Sequence, residues 1–84
     1  MTERVVRVAV LGSTGSIGRS ALEVIAASGG RLEAALLAAH SSTALLARQA
    51  RQVRPRWLVV TDPNAALAQD WSGLPPEMEL LVGD

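Results

Sequence analysis

Seven consecutive residues carry most of the chemistry that this chain can be read for: Gly12-Ser13-Thr14-Gly15-Ser16-Ile17-Gly18, a G-x-x-G-x-x-G run. They lie between a β-branched apolar run and a segment of helical periodicity, so the glycines mark a strand-to-helix turn. Amides bared at the start of a helix attract phosphate, because they lack partners and sit at the positive end of the helix dipole. Each glycine has a task in such a turn. Gly12 lets the chain leave the strand sharply, Gly15 lets a diphosphate approach the backbone, and Gly18 lets the helix pack closely on the sheet. The amides of Thr14, Gly15, Ser16 and Ile17 would line the mouth, with the hydroxyls of Ser13, Thr14 and Ser16 as further donors. A tight turn with no ligand would use the same glycines. The strand before, the helix after and a second strand about fifteen residues on favour a dinucleotide.

The end of that second strand separates the two nicotinamide cofactors. NAD-specific domains carry an acid there, about 20 residues past the loop, to accept hydrogen bonds from the ribose hydroxyls. Here the residues are Ala38-Ala39-His40-Ser41-Ser42, without an acid. A carboxylate would repel a 2′-phosphate, whereas hydroxyls, a helix N-terminus and a histidine would accept one, so NADPH is expected over NADH. His40 reads equally well as a loop histidine with no ligand. Ser41 and Ser42 read equally well as caps of the next helix, and both roles can coexist.

Other polar residues point to structure. Asp62, followed by Pro63, reads as a helix cap more readily than as a ligand. Trp57 and Trp71 read as packing residues. Arg48, Arg51, Arg54 and Arg56 read as a solvated face, and Arg19 as reaching either a phosphate or water. The acids Glu23, Glu33, Asp70, Glu77 and Glu79 show no pairing that suggests acid–base work, so no catalytic constellation is expected here.

The elements that must hold these groups alternate along the chain. Val5 to Leu11 reads as a strand covered on both faces. Ile17 to Ser28 reads as a helix with Ile17, Ala21, Leu22, Val24 and Ile25 inward, stopped by Gly29-Gly30. Arg31 to Ala39 is ambiguous, because alanine and leucine also favour helix, and its second half is taken as a strand. Thr43 to Val53 reads as a helix with Leu45, Leu46, Ala50 and Val53 inward and Arg48, Gln49, Arg51 and Gln52 outward; Ser42 or Thr43 would cap it, and Arg54-Pro55 would end it. Trp57 to Thr61 reads as a strand, Asn64 to Trp71 as a short helix, and Met78 to Val82 as a fourth strand. The order βαβαβαβ implies an α/β fold, a Rossmann-like parallel sheet with helices on its faces. The chain stops where another helix should begin, so residues 1–84 are expected to be the N-terminal part of an NADP-binding domain, the first half of a longer sheet.

Composition narrows the chemistry further. Nearly half of the 84 residues are apolar (49%), which argues for a globular segment. Its eight basic residues are all arginines, balanced by eight acids, so no basic stripe for nucleic acid is present. With no lysine, tyrosine or cysteine and a single histidine, several chemistries are excluded from this stretch: a phosphate-loop lysine, a Tyr-x-x-x-Lys pair, a thiol nucleophile and a histidine metal cluster. The run after Met1-Thr2-Glu3-Arg4 is too short and too interrupted for a signal peptide or a membrane span. A cytoplasmic protein is expected.

The string from Val10 to Gly18, Val-Leu-Gly-Ser-Thr-Gly-Ser-Ile-Gly, resembles the opening of the 1-deoxy-D-xylulose 5-phosphate reductoisomerase family. Ser20-Ala21-Leu22-Glu23-Val24-Ile25 resembles that family's first helix, and Arg54-Pro55-Arg56-Trp57-Leu58-Val59-Val60-Thr61-Asp62 its third strand with the proline before it. The resemblance covers nearly all of the chain. It implies NADPH bound through Thr14, Gly15, Ser16 and Ile17, with the 2′-phosphate near Ser41 and Ser42. Many members have Ala-Gly, a variable residue and Asn where Ala39-His40-Ser41-Ser42 stands here. The reaction implied is rearrangement and reduction of 1-deoxy-D-xylulose 5-phosphate to 2-C-methyl-D-erythritol 4-phosphate in isoprenoid synthesis. It implies a divalent metal, magnesium or manganese, held by carboxylates beyond Asp84, and a homodimer formed through parts beyond this stretch. Two other readings fit the same half-domain: a non-catalytic NADP-sensing module, and a fragment of an extended short-chain dehydrogenase. A downstream carboxylate cluster or a downstream Tyr-x-x-x-Lys would tell them apart.

Overall fold

A computed structural model of the chain describes residues 4–83; the lead-in Met1-Thr2-Glu3 and the final Asp84 lie outside the described residues. Among the described residues seven elements follow one another: β1 (Val6–Leu11), α1 (Ser16–Ala26), β2 (Leu32–Ala39), α2 (Thr43–Val53), β3 (Trp57–Val60), α3 (Pro63–Ala68) and β4 (Glu79–Val82). The strands pair in parallel in the order β1-β2-β3-β4. The result is the α/β, Rossmann-like sheet that the alternation predicts.

The ambiguous segment is a strand along almost its whole length, from Leu32, not only in its second half. Gly29 and Gly30 adopt φ 67° and 88°, which ends α1, and the chain then pairs with β1 on one side and β3 on the other. Two ladders outweigh the mild helix preference of alanine and leucine. Midway along β2 the register with β1 slips between Val8 and Ala9, leaving Ala35 as the extra residue of a bulge.

Among the described residues, helices cover one face of the sheet and not both. The register puts Val8, Val10, Ala34, Leu37, Ala39, Leu58 and Val60 on a common side. They form one cluster with Leu22 and Ile25 of α1, Leu46 and Ala50 of α2 and Ala66 of α3. Ala9, Leu11, Leu36, Ala38, Trp57, Val59 and Leu81 face the other way and are half-buried or exposed. Within these residues the expectation that β1 is covered on both sides is met on one side only: the apolar residues on its other face are partly open to solvent. α1 is corrected in the same way. Gly18, Leu22 and Ile25 face the sheet, while Ile17 (86% exposed) and Val24 (61%) lie on an outer stripe.

α3 starts as the Asp62-Pro63 pair predicts. The Asp62 carboxylate accepts the N–H of Asn64 at 3.0 Å, and proline fills the first turn. The helix stops at Ala68 and not at Trp71, whose indole N–H instead donates to the Ala66 carbonyl at 3.0 Å and closes the turn. The next turn is held by Asp70: the Ser72 N–H donates to its carboxylate at 2.9 Å and keeps that carboxyl below its usual range. Asp62→Ala is expected to cost about 1 kcal/mol, the usual worth of such a cap. A urea midpoint unchanged from wild type would show that the cap does not hold α3.

Candidate functional site

Because β1, β2 and β3 run parallel, the residues that follow each of them gather at one edge of the sheet: the glycine loop after β1, His40 to Ser42 after β2, Thr61 and Asp62 after β3. Ligands of open parallel sheets bind at this carboxyl edge.

The loop is built from hydrogen bonds to two neighbouring elements. Gly12 turns at φ 68°, which favours glycine. Ser13 then sends its N–H to the Ala38 carbonyl of β2 at 2.9 Å. Its hydroxyl donates to Gln49 Oε1 and its carbonyl accepts from Gln49 Nε2, both at 2.9 Å. Ser13 is fully buried, so the expectation that its hydroxyl donates to a ligand is corrected; that proton is committed to α2. Gln49, read as outward from the sequence, is buried. The signal was present: Leu46, Gln49, Ala50 and Val53 stand at i, i+3, i+4 and i+7, so the glutamine falls on the inward face.

Gly15 is the N-cap of α1. Its amide is corrected as well: it donates to the Gly12 carbonyl at 3.0 Å and closes the turn. The first internal bond of the helix is Arg19 N–H to Gly15 carbonyl. The amides of Thr14, Ser16 and Ile17 have no partner among the described residues, as expected where a helix begins. These three, with the amide of the buried Gly18 that likewise has no partner among the described residues, the exposed Ser16 hydroxyl and the half-buried Thr14 hydroxyl, are the donors of the loop and first turn. A Cβ on Gly15 would lie 3.4 Å from the Gly12 carbonyl oxygen, which leaves room. A Cβ on Gly18 would come within 2.2 Å of that oxygen and 2.5 Å of Ser13 Cα. Gly18 thus packs against the loop itself and not simply against the sheet.

At the end of β2, His40, Ser41 and Ser42 are all exposed. His40 Nδ1 lies 2.7 Å from Thr61 Oγ1, and the Asp62 N–H donates to the His40 carbonyl at 3.0 Å, which ties this turn to the one after β3. Sequence reasoning missed Thr61, since nothing local pairs residues 21 apart. Ser42 occupies the N-cap of α2 but makes no side-chain capping bond, and the Thr43 hydroxyl donates to Gln69 Oε1 at 3.3 Å. Neither hydroxyl caps α2, and those of Ser41 and Ser42 have no partner among the described residues, which leaves both open to a ligand.

Arg19 lines a groove between α1 and α2, together with Leu22, Ile25, Leu45, Gln49 and Val53; the groove touches neither the open amides nor residues 40–42. Arg56 stacks on Trp57 at 5.0 Å. Among the described residues there is no group of three or more His, Cys, Asp or Glu that could hold a metal ion, and no helix long and apolar enough to cross a membrane.

Known proteins are similar to this chain in both sequence and shape. A relative from Moorella thermoacetica, named 1-deoxy-D-xylulose 5-phosphate reductoisomerase, is 44% identical over 77 residues, which is 92% of this chain and 20% of the relative. One of the same name from Anaeromyxobacter sp. (strain K) is 46% identical over 78 residues, again 20% of its length. The chain thus spans one fifth of the length of the curated relatives it matches. The solved 1-deoxy-D-xylulose 5-phosphate reductoisomerase of Zymomonas mobilis, in complex with NADPH, superposes with a TM-score of 0.80 at 31% identity, covering 95% of this chain and 21% of that one. A DOX-P reductoisomerase solved with magnesium gives 0.79 at 26% identity, covering 94% and 20%. Residues 8–84, from the middle of β1 onward, match the profile of the 1-deoxy-D-xylulose 5-phosphate reductoisomerase family; with the loop and sheet as described, the chain belongs to that family.

Proposed function

We propose that residues 1–84 are the N-terminal part of an NADPH-binding domain, and that the whole protein is a 1-deoxy-D-xylulose 5-phosphate reductoisomerase. The observation that carries this reading is the row of unpartnered amides at Thr14, Ser16 and Ile17, at the start of α1 on the carboxyl edge of a parallel sheet. Such a row suits a diphosphate. The acid-free turn His40-Ser41-Ser42, with its spare hydroxyls, suits the 2′-phosphate. Bound there, NADPH supplies a hydride. The residues of this stretch bind and orient the cofactor: the loop amides hold the diphosphate, Gly12 and Gly15 keep the backbone within reach, and the turn after β2 selects the phosphorylated ribose.

The family name and the relative solved with NADPH support this reading over a sensor module or a short-chain dehydrogenase. The phosphosugar substrate, the reduction to 2-C-methyl-D-erythritol 4-phosphate, a homodimer and a cytoplasmic setting belong to the whole protein. Magnesium or manganese would be held outside this stretch, whose described residues offer no site for it. Two measurements test the assignment. Titration calorimetry on the 84-residue chain is expected to give weak binding with NADPH at least about tenfold tighter than NADH, which corresponds to 1.4 kcal/mol; equal affinities would remove the 2′-phosphate argument. Incubation with substrate, NADPH and magnesium or manganese is expected to give no turnover, and measurable NADPH oxidation would place catalytic groups inside this stretch.

A further inference from the structure

Gln49 stands on the inner face of α2, in line with the apolar Leu46, Ala50 and Val53. A buried carboxamide is tolerated only when both of its ends are hydrogen-bonded, and Gln49 spends both on Ser13. What this achieves follows from peptide geometry. The Ser13 carbonyl and the Thr14 N–H belong to one planar trans unit and point in opposite directions. By holding that carbonyl from the α2 side, Gln49 Nε2 fixes the Thr14 N–H to point away from α2. The Ser13 hydroxyl, donating to Oε1, keeps the carboxamide from rotating. The Ser13 N–H bond to Ala38 holds the preceding Gly12–Ser13 peptide, and Gly18 approaches Ser13 Cα closely, so the residue is fixed on both sides of the peptide that Gln49 grips.

We propose that Gln49 is a positioning residue of the cofactor site, one that orients the Thr14 amide toward the diphosphate by gripping Ser13 from α2. The inference rests on the reading that this loop holds the NADPH diphosphate. It also carries a signature. The diphosphate is common to NADPH and NADH, so loss of the grip weakens both nucleotides and leaves their ratio intact.

The experiment measures NADPH and NADH affinity, thermal unfolding and the Thr14 amide resonance for the wild-type chain, Gln49→Met and Ser13→Ala. Gln49→Met keeps the volume and removes both bonds. It is expected to weaken both nucleotides about tenfold, as loss of one oriented bond to a charged ligand does, with an unchanged ratio, a cooperative melt and a displaced Thr14 amide resonance. Ser13→Ala leaves the Nε2 grip but frees the carboxamide to rotate, and is expected to weaken both about threefold. It decides the matter should Gln49→Met fail to fold. Folded variants that bind like wild type, or that change the NADPH-to-NADH ratio, overturn the proposal while leaving the cofactor reading intact. A wild-type chain that binds neither nucleotide overturns the cofactor reading, and the positioning role falls with it.

Discussion

Gly18→Ala is expected to destabilise the chain by about 3 kcal/mol, toward the upper end for a methyl forced into a filled space. The added carbon would lie 2.2 Å from the Gly12 carbonyl oxygen and 2.5 Å from Ser13 Cα. Both neighbours are backbone, and Ser13 is pinned on its far side by Gln49 and Ala38, so neither can retreat by rotating a side chain. A domain of this size holds roughly 5 kcal/mol in total, so most of its stability is at stake. Gly15→Ala makes the contrast. Its methyl would meet the Gly12 oxygen at 3.4 Å, and its backbone lies at φ −78°, open to any residue. It is expected to fold with nearly wild-type stability and to bind NADPH about tenfold more weakly, since the methyl intrudes where the diphosphate approaches. Urea unfolding and NADPH titration of the two variants separate the roles. A Gly18→Ala chain as stable as wild type, or a Gly15→Ala chain that binds equally well, would show that the glycines had been given the wrong tasks.

His40→Asp is expected to reverse the cofactor preference. A carboxylate about 5 Å from a phosphate charge is repelled by roughly 3 kcal/mol per charge pair at an effective dielectric of about 20. Exposure of this turn reduces that to about 2 kcal/mol, or roughly 30-fold weaker NADPH binding. NADH, whose ribose hydroxyls can donate to the new acid, should bind at least as well as before. The substitution also breaks the contact between His40 Nδ1 and Thr61 Oγ1, so His40→Asn serves as the uncharged control and is expected to retain the preference for NADPH. An NADPH-to-NADH ratio that His40→Asp leaves unmoved would mean that the 2′-phosphate does not sit at the turn after β2.

The order of elements and the position of the loop were legible in the sequence because each depends on near neighbours. Gly12, Gly15 and Gly18 mark the turn through backbone freedom and absent side chains, and Asp62-Pro63 announces α3 through a bond that spans two residues. Thr43 to Val53 was read to the residue because its apolar spacing and its exit at Arg54-Pro55 are local. The absence of an acid after β2 could be counted directly.

Other features depend on where distant segments meet. Whether Val5 to Leu11 is covered on one side or both is a question of where the helices pack, and hydrophobicity is the same in either case. Ile17 looked like a core residue because α1 carries two apolar stripes, and only the sheet chooses between them. Ser13 and Gln49 are 36 residues apart, and His40 and Thr61 are 21 apart; no spacing rule joins either pair. By itself the sequence determined the kind of loop, its place between strand and helix, and the charge that the second turn would tolerate, since these follow from backbone conformation and residue type. Tertiary structure decided which of the loop's polar groups remain free for a ligand, because a hydrogen bond from a neighbouring helix or strand removes a donor as surely as a substitution would.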